Sequence, residues 1–272
     1  MLTKNNGDLY SVKYAVKNLE LIEEKDAVIP VTQRELFSSF GVYESIKVLN
    51  GKMEYLDDHL VRFFESARIL KLEHSFKVEN IIQSLKKLIT ANDEKTASLK
   101  LQLIGGNAPI LFAFTTNLPV YPDKYYIDGV KVISYRGERV FPHAKSNCLL
   151  LNYMAAREAV AAGALDAILI DRNGFALEGS RSNLFAVKAN IIITSEEDVL
   201  YGVTRKHTIE IAKKLNLTIG FEKIALKDIK EHMFDEVFIT STSMGAIPVR
   251  AIDDINIGSS FPTTSLINKN LL

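Results

Sequence analysis

The sequence predicts an α/β protein of the α+β kind, because strand and helix patterns are intermixed along the chain. Apolar and polar residues alternate over short segments such as 42–49, which is typical of strands. Elsewhere apolar residues recur at helical spacing, as at Leu60, Phe63 and Ala67. The strict strand–helix alternation of a doubly wound sheet is missing, and so is any G-x-G-x-x-G or Walker segment. The usual mark of a nucleotide-binding fold is therefore absent from the sequence.

The expected elements can be placed in order along the chain. Strands are predicted at 9–16, 27–31, 42–49, 52–55, 98–104, 110–116, 130–135, 167–170, 175–178, 184–187, 191–194, 218–222 and 236–240. Helices are predicted at 57–72, 78–91, 148–162, 204–215 and 226–231. Asn50-Gly51 favours a tight hairpin turn. We expect Asp57 to cap the first helix and Gly163 to end the third.

A proline-rich segment predicts the division into domains. Two prolines, Pro119 and Pro122, fall within six residues and break regular structure. We expect a linker at 118–123. It would join a smaller N-terminal α/β domain over 1–117 to a larger C-terminal domain over 124–272, which we expect to bind the cofactor discussed below.

Composition excludes several classes of protein. The 272 residues carry 33 basic and 33 acidic side chains, and this zero net charge argues against a nucleic-acid binder. No apolar run approaches the ~18 residues of a membrane span, and the first residues lack the apolar core of a signal peptide. The single cysteine, Cys148, rules out an internal disulfide and a cysteine-built zinc site. We expect a cytoplasmic protein with no metal and no membrane or nucleic-acid partner.

Two segments contain residues suited to catalysis. Lys145 precedes a predicted helix, and a lysine whose pKa is lowered by burial or by nearby cations can form a Schiff base near pH 7. A solvated surface lysine is the ordinary alternative. Glu178 ends a predicted strand before a glycine turn. It could serve only the turn, or its charge could keep a pyridine nitrogen protonated and make a cofactor a strong electron sink.

Three further segments could hold an anion. Gly202-Val203-Thr204 begins a predicted helix, whose free N–H groups and dipole suit a phosphate. Ser241 and Thr242 lie in a hydroxyl-rich loop after a strand, and Arg62 could act as a fork-shaped donor. A helix cap, an ordinary loop and a solvated arginine are the alternatives for these three segments.

Taken together and in order, these segments resemble the class IV aminotransferases, the fold-type IV pyridoxal-phosphate (PLP) enzymes. That family includes branched-chain aminotransferases, D-amino-acid aminotransferases and aminodeoxychorismate lyases. The resemblance spans about residues 30–260. It is carried by segments 41–44, 59–63, 145, 152–155, 178–185, 202–205, 235–242 and 247–249.

The resemblance implies roles for individual residues. Lys145 matches the Schiff-base lysine and Glu178 the partner of the pyridine nitrogen. The phosphate would be bound by Arg62, Val203, Thr204, Ser241 and Thr242, and Tyr43 would lie near the cofactor. It also implies two α/β domains with the active site between them, a homodimer, and transfer of an amino group from a small amino acid to a 2-keto acid. Because both Lys145 and Glu178 are present, a non-catalytic binder is improbable.

The substrate-binding pattern departs from the family. The arginine that binds carboxylate in D-amino-acid aminotransferases aligns with Gly105, and Lys100 stands near the arginine of branched-chain enzymes. A lysine binds carboxylate without the bidentate fork. Ser45 falls where a lyase threonine is expected, and lyases can carry a lysine near Lys100. The alternative function is thus an aminodeoxychorismate lyase, which releases pyruvate in folate synthesis.

Overall fold

The computed structural model describes residues 12–271, which divide into two compact units. The N-terminal unit comprises residues 12–119 together with 144–148, so it includes Lys145. The C-terminal unit comprises residues 120–143 and 149–271. The chain leaves the N-terminal unit between Pro119 and Val120, within the proline-rich segment.

The N-terminal unit is an antiparallel sheet with two long helices. Its elements are β1 (Tyr14–Lys17), β2 (Glu20–Glu23), α1 (Arg34–Phe37), β3 (Gly41–Leu49), β4 (Lys52–Met53), α2 (Leu56–Ile69), α3 (Val78–Ala91), β5 (Thr96–Ile104) and β6 (Ile110–Thr116). The strand order is β2-β1-β6-β5-β3-β4. Alternation along β3 and β5 sends Ile46, Leu99 and Leu101 into a core shared with Phe63 of α2 and Leu85 of α3.

The C-terminal unit is built on a ten-stranded mixed sheet. Its elements are α4 (Asp123–Ile127), β7 (Val130–Arg136), α5 (Leu150–Ala161), β8 (Asp166–Ile170), β9 (Phe175–Gly179), β10 (Asn183–Lys188), β11 (Ile191–Thr194), α6 (Val203–Lys214), β12 (Thr218–Phe221), β13 (Ile224–Ala225), α7 (Leu226–Lys230), β14 (Glu236–Ser241), β15 (Gly245–Ile252), β16 (Ile255–Asn256) and α8 (Pro262–Leu271). Strands β10, β14, β15, β7, β8 and β9 form a ring, which closes where Asn183 pairs with Glu178.

Most predicted elements are confirmed, including α3 and β6 over the predicted residues. The predicted strand at 27–31 is wrong: the segment contains Pro30 and has no regular structure. Of the predicted strand at 9–16, residues 9–11 lie outside the described residues, and the observed strand is β1. The prediction omitted β15 and α8 altogether.

The expected cap of α2 is also wrong. The helix begins at Leu56, and its N-cap is Tyr55 in a left-handed conformation with φ 51°, without a side-chain cap hydrogen bond. Asp57 instead lies in the first turn, where its charge still complements the helix dipole. Between residues 12 and 271, no helix has both the length and the apolar character of a membrane span.

Candidate active site

One face of β3 and β5 carries the residues predicted to contact substrate. Ser45 pairs directly with Lys100, and Tyr43 with Gln102, so the four side chains share a face. Lys100 Nζ donates to Ser45 Oγ at 2.6 Å, and Ser45 Oγ lies 3.1 Å from Ser98 Oγ. Burial, helped by the charge of Lys145 and opposed by Glu44, lowers the pKa of the Lys100 amine from 10.5 to about 8. The cluster therefore presents a partly buried amine beside two hydroxyls.

Lys145 is held against the start of β3. Its carbonyl accepts a hydrogen bond from Tyr43 N at 3.0 Å, and the next residue, Ser146, forms a bridge with Val42. Its own N–H donates to Ser66 Oγ of α2 at 3.0 Å, and that hydroxyl donates to Arg62 O at 2.7 Å. Lys145 Nζ lies 4.6 Å from the centroid of the Tyr43 ring. The backbone of this lysine is thus fixed from two sides.

The opposite face of β3 carries a buried charge network. Arg62 of α2 donates from Nε to Glu44 Oε1 and from Nη2 to Oε2, both at 2.7 Å. His59 Nδ1 lies 2.7 Å from Glu44 Oε2, and both side chains are fully buried. Burial raises the pKa of Glu44, but the charge and hydrogen bonds of Arg62 and a bond from His59 outweigh it and lower that pKa from 4.5 to about 2.

Burial and the Glu44 carboxylate act on the pKa of His59 in opposite directions. Burial, the largest effect, lowers the pKa of the imidazole, so the ring is neutral and its Nδ1–H donates to Glu44. Glu44 therefore fixes the plane of the Arg62 guanidinium through two hydrogen bonds, and His59 in turn orients Glu44. The sequence motif contained His59 and Glu44, but no role was predicted for either.

In the C-terminal unit, Glu178 is a buried carboxylate at the end of β9. Arg139 Nη1 donates to its Oε1 at 3.2 Å and to Pro142 O at 3.0 Å, and Leu200 N donates to its Oε2 at 2.9 Å. The side chains of Arg139 and Glu178 are 8% and 5% exposed, so their charges attract each other with little solvent screening. Sequence analysis missed Arg139, because it stands in an irregular segment without a periodic pattern.

The predicted phosphate turn begins α6. The helix starts at Val203 after Gly202, which has no side chain to accept the first helical N–H groups. Thr204 follows in the first turn. Arg205, which the sequence analysis also left without a role, is buried, donates to Ser195 O at 2.9 Å and lies 5.7 Å from the Tyr201 ring.

Ser241 and Thr242 lie at the turn between β14 and β15. Ser241 ends β14 and pairs with Gly245, while Thr242 lies within the turn. The preceding Thr240 Oγ1 is buried and has no hydrogen-bond partner among the described residues. The turn therefore presents hydroxyl and N–H donors beside an unsatisfied buried hydroxyl.

The predicted residues of the N-terminal unit lie on both faces of β3, with Arg62 on the face of Glu44 and Tyr43, Ser45 and Lys100 on the other. Tyr43, Ser45, Arg62, Lys100 and Lys145 lie on or beside β3 in the N-terminal unit. In the C-terminal unit, Glu178 and the start of α6 are joined through Leu200. An anionic phosphate requires N–H and O–H donors, and a protonated ring nitrogen requires an acceptor such as the Glu178 carboxylate, so the residues fit PLP. The described part of the chain contains no cluster of His, Cys, Asp and Glu that could hold a metal ion.

Comparisons with known proteins agree with this chemistry. Residues 41–252 match the family described as amino-transferase class IV. A D-alanine aminotransferase from Bacillus licheniformis is 33% identical over 258 residues, which cover 90% of each chain. A putative branched-chain-amino-acid aminotransferase from Methanocaldococcus jannaschii is 28% identical over 254 residues, covering 87% of this chain and 86% of the relative.

The fold agrees as well. A structure of the T.th. branched-chain amino acid aminotransferase with pyridoxamine 5'-phosphate matches with a TM-score of 0.87 at 25% identity, covering 96% of this chain and 93% of that one. The predicted mixed α/β fold of the fold-type IV enzymes is confirmed. Because the family match extends over most of its length, this chain belongs to the class IV aminotransferases and is an aminotransferase that uses PLP as its cofactor.

Proposed function

We propose that this enzyme transfers the amino group of a small amino acid to a 2-keto acid, with Lys145 as the lysine that bonds to PLP. When bound, PLP supplies an electron sink for the pair of electrons left when the substrate Cα–H bond breaks. Lys145 Nζ would take the Cα proton and return it, as general base and acid. Its fixed backbone and its position over the Tyr43 ring support this role.

The observation that carries the proposal is the buried, arginine-paired carboxylate of Glu178. A buried carboxylate that accepts from Arg139 and from Leu200 N has partners suited to its charged form, and such a charge can keep a ring nitrogen protonated. We propose that Glu178 pairs with the pyridine nitrogen. Glutamates are seldom buried unless paired, and buried charged groups cluster at functional sites, so this arrangement favours a functional role over a turn residue.

We assign phosphate binding to Arg62 in the N-terminal unit and to the turn residues Val203, Thr204, Ser241 and Thr242 in the C-terminal unit. A glycine-capped helix N-terminus offers main-chain N–H groups and a favourable dipole to an anion. Arg62 has its guanidinium oriented by Glu44, which suits a fork-shaped contact with phosphate oxygens.

For the substrate we propose D-alanine or another small amino acid. The relative from Bacillus licheniformis is a D-alanine aminotransferase. The face that carries Tyr43, Ser45 and Lys100 is polar, which favours a small or polar side chain over a large branched one. We assign the substrate carboxylate to the Lys100 amine, because no carboxylate of the described chain lies within ion-pair distance of this partly buried cation.

A half-reaction tests this proposal. The holoenzyme is mixed with D-alanine, L-alanine or L-leucine without a keto acid, and the spectrum is followed. We expect D-alanine to convert PLP to its pyridoxamine form fastest. In the matched variant Lys145→Ala we expect no conversion and no cofactor adduct that borohydride can reduce. Conversion by none of these amino acids, or a reducible adduct in Lys145→Ala, would contradict the proposal.

One observation favours the lyase as a second candidate. The Ser45 hydroxyl accepts from Lys100 at 2.6 Å, so its own proton is directed away from that amine, and such a polarised hydroxyl could assist a departing group. The discriminating assay is pyruvate release from aminodeoxychorismate. Pyruvate release, together with no half-reaction from any amino acid, would favour the lyase over the transaminase.

We also propose that the enzyme works as a homodimer in the cytoplasm. Helix α5 buries only Ala155 and Ala159, while Leu150 and Tyr153 are 73% and 52% exposed. An apolar helix face of this kind is typical of a protein–protein contact, and a second copy of the chain is the partner we propose. The single cysteine, Cys148, suits a reducing compartment.

A further inference from the structure

Asn183 lies where all three predicted cofactor-binding segments of the C-terminal unit meet. It is the first residue of β10 and is buried. In the sheet it pairs with Glu178 of β9 on one side and with Thr240 of β14 on the other. Thr240 directly precedes Ser241, the start of the second phosphate segment. The backbone of Asn183 therefore joins the ring-nitrogen carboxylate to one of the two phosphate turns.

The side chain of Asn183 reaches the third segment. Its Nδ2 donates to Leu200 O at 2.7 Å, while Leu200 N donates to Glu178 Oε2 at 2.9 Å. Leu200 O also accepts from Gly202 N at 2.9 Å, immediately before α6 begins. Leu200 is thus held through its carbonyl by Asn183 and through its N–H by Glu178.

A close contact reinforces this arrangement. A Cβ built on Gly202 would clash with Asn183 Oδ1, so the amide occupies the space beside the helix cap. Asparagine is disfavoured in strands, and the rest of β10 is a run of buried apolar residues before Lys188. An asparagine at this position is explained by its side-chain contacts rather than by the strand.

We propose that Asn183 is a positioning residue that fixes the spacing between Glu178 and the first turn of α6, and so couples the two ends of the PLP site. The inference rests on the proposed roles of Glu178 and Thr204. Asn183 itself does not contact the cofactor in this proposal. It acts through Leu200 and Gly202, and through its strand pairing with Glu178.

The test compares Asn183→Ser with a matched control, Asn92→Ser. Asn92 also ties its side chain to the main chain, accepting from Tyr14 N and donating to Tyr14 O, but it lies at the end of α3, away from every predicted site residue in the sequence. For Asn183→Ser we expect the Kd for PLP to rise about tenfold, equivalent to ~1.4 kcal/mol. For Asn92→Ser we expect a Kd within about twofold of the wild type, well under that 1.4 kcal/mol step. Both apoproteins are melted to compare their loss of stability.

A second measurement tests whether binding at the phosphate turns affects binding of the pyridine ring. The two ends of the site are probed separately, with pyridoxal for the ring and inorganic phosphate for the phosphate turns. In the wild type we expect phosphate to tighten the binding of pyridoxal, and in Asn183→Ser we expect this effect to disappear. A residue with only a structural role would lower apoprotein stability and leave this coupling unchanged. Asn183→Thr repeats the test with a residue that favours strands, should the serine variant fold poorly.

The outcomes are distinct. Wild-type PLP affinity and wild-type coupling in the Asn183 variants would overturn this inference alone. A wild-type protein that fails to bind PLP would overturn the proposed function and this inference together. A loss of PLP affinity equal in the Asn183 and Asn92 variants would also overturn it, because the effect would then reflect general stability.

Discussion

Each unit contains a buried arginine–glutamate ion pair, but the member proposed to bind PLP differs between the two units. In the N-terminal unit, Arg62 is the predicted ligand of the cofactor and the buried Glu44 supports it. In the C-terminal unit, Glu178 is the predicted ligand and the buried Arg139 supports it. In both, a charged group proposed to bind PLP is held by a partner of opposite charge. If both proposed roles hold, a buried arginine–carboxylate pair in this protein combines a cofactor ligand with its support, and either member can be the ligand.

The largest effect is expected from the carboxylate ligand. Glu178→Gln keeps the shape and an acceptor for Leu200 N but removes the charge that would keep a ring nitrogen protonated. We expect kcat to fall by about 100-fold or more, as when one preorganised electrostatic group is removed from an active site. The Kd for PLP should change little. Steady-state kinetics and equilibrium dialysis on the same preparation measure the two quantities, and unchanged turnover would count against the role.

Sequence motifs singled out Arg62 and Glu178 as proposed ligands, whereas their partners Glu44 and Arg139 were not singled out. Arg62 and Glu178 stand in regular elements and in ordered motifs, so their positions indicated a site. One sequence feature pointed to Glu44: alternation along β3 places it on the same buried face as Val42 and Ile46, where a charge needs a partner. No sequence feature pointed to Arg139, because its partner Glu178 lies 39 residues away and its own segment is irregular.

Asn183 was equally hidden, for a different reason. It was part of the motif around Glu178, but its proposed role rests on contacts with residues distant in sequence: its strand partner Thr240 and the carbonyl of Leu200, which lies between β11 and α6. The ring of strands that contains Asn183 is completed by β15, which the prediction omitted. Sequence patterns thus predicted most of the local elements, while the long-range pairing around the proposed ligands required the structure.

The second-largest effect is expected from Arg62, and it concerns the affinity for PLP rather than turnover. Arg62→Ala removes charge-assisted hydrogen bonds that are worth ~1.5–3 kcal/mol each, so we expect the Kd for PLP to rise by tenfold or more. At saturating PLP, kcat should stay close to the wild-type value. Arg62→Lys is the matched control and should recover only part of the affinity, because an ammonium cannot make the bidentate pair with Glu44. Wild-type affinity in Arg62→Ala would remove this arginine from the site.

The smallest effect is expected from Glu44, the partner of Arg62 in the N-terminal unit, and it is a change in how protein stability depends on pH. The pKa of Glu44 is lowered from 4.5 to about 2 in the folded protein, so the unfolded chain binds its proton more readily than the native one. This contribution to stability is therefore complete above pH 4.5 and is lost as the pH falls from 4.5 toward 2. In Glu44→Gln we expect lower stability at pH 7 and a shallower loss of stability below pH 4.5, because the group that titrates is gone. Urea unfolding of the two apoproteins between pH 7 and pH 3 measures both.

Parallel stability curves for the two proteins across this range would show that the Glu44–Arg62 pair contributes no pH-dependent stability. The comparison between the two ion pairs would then rest on geometry alone.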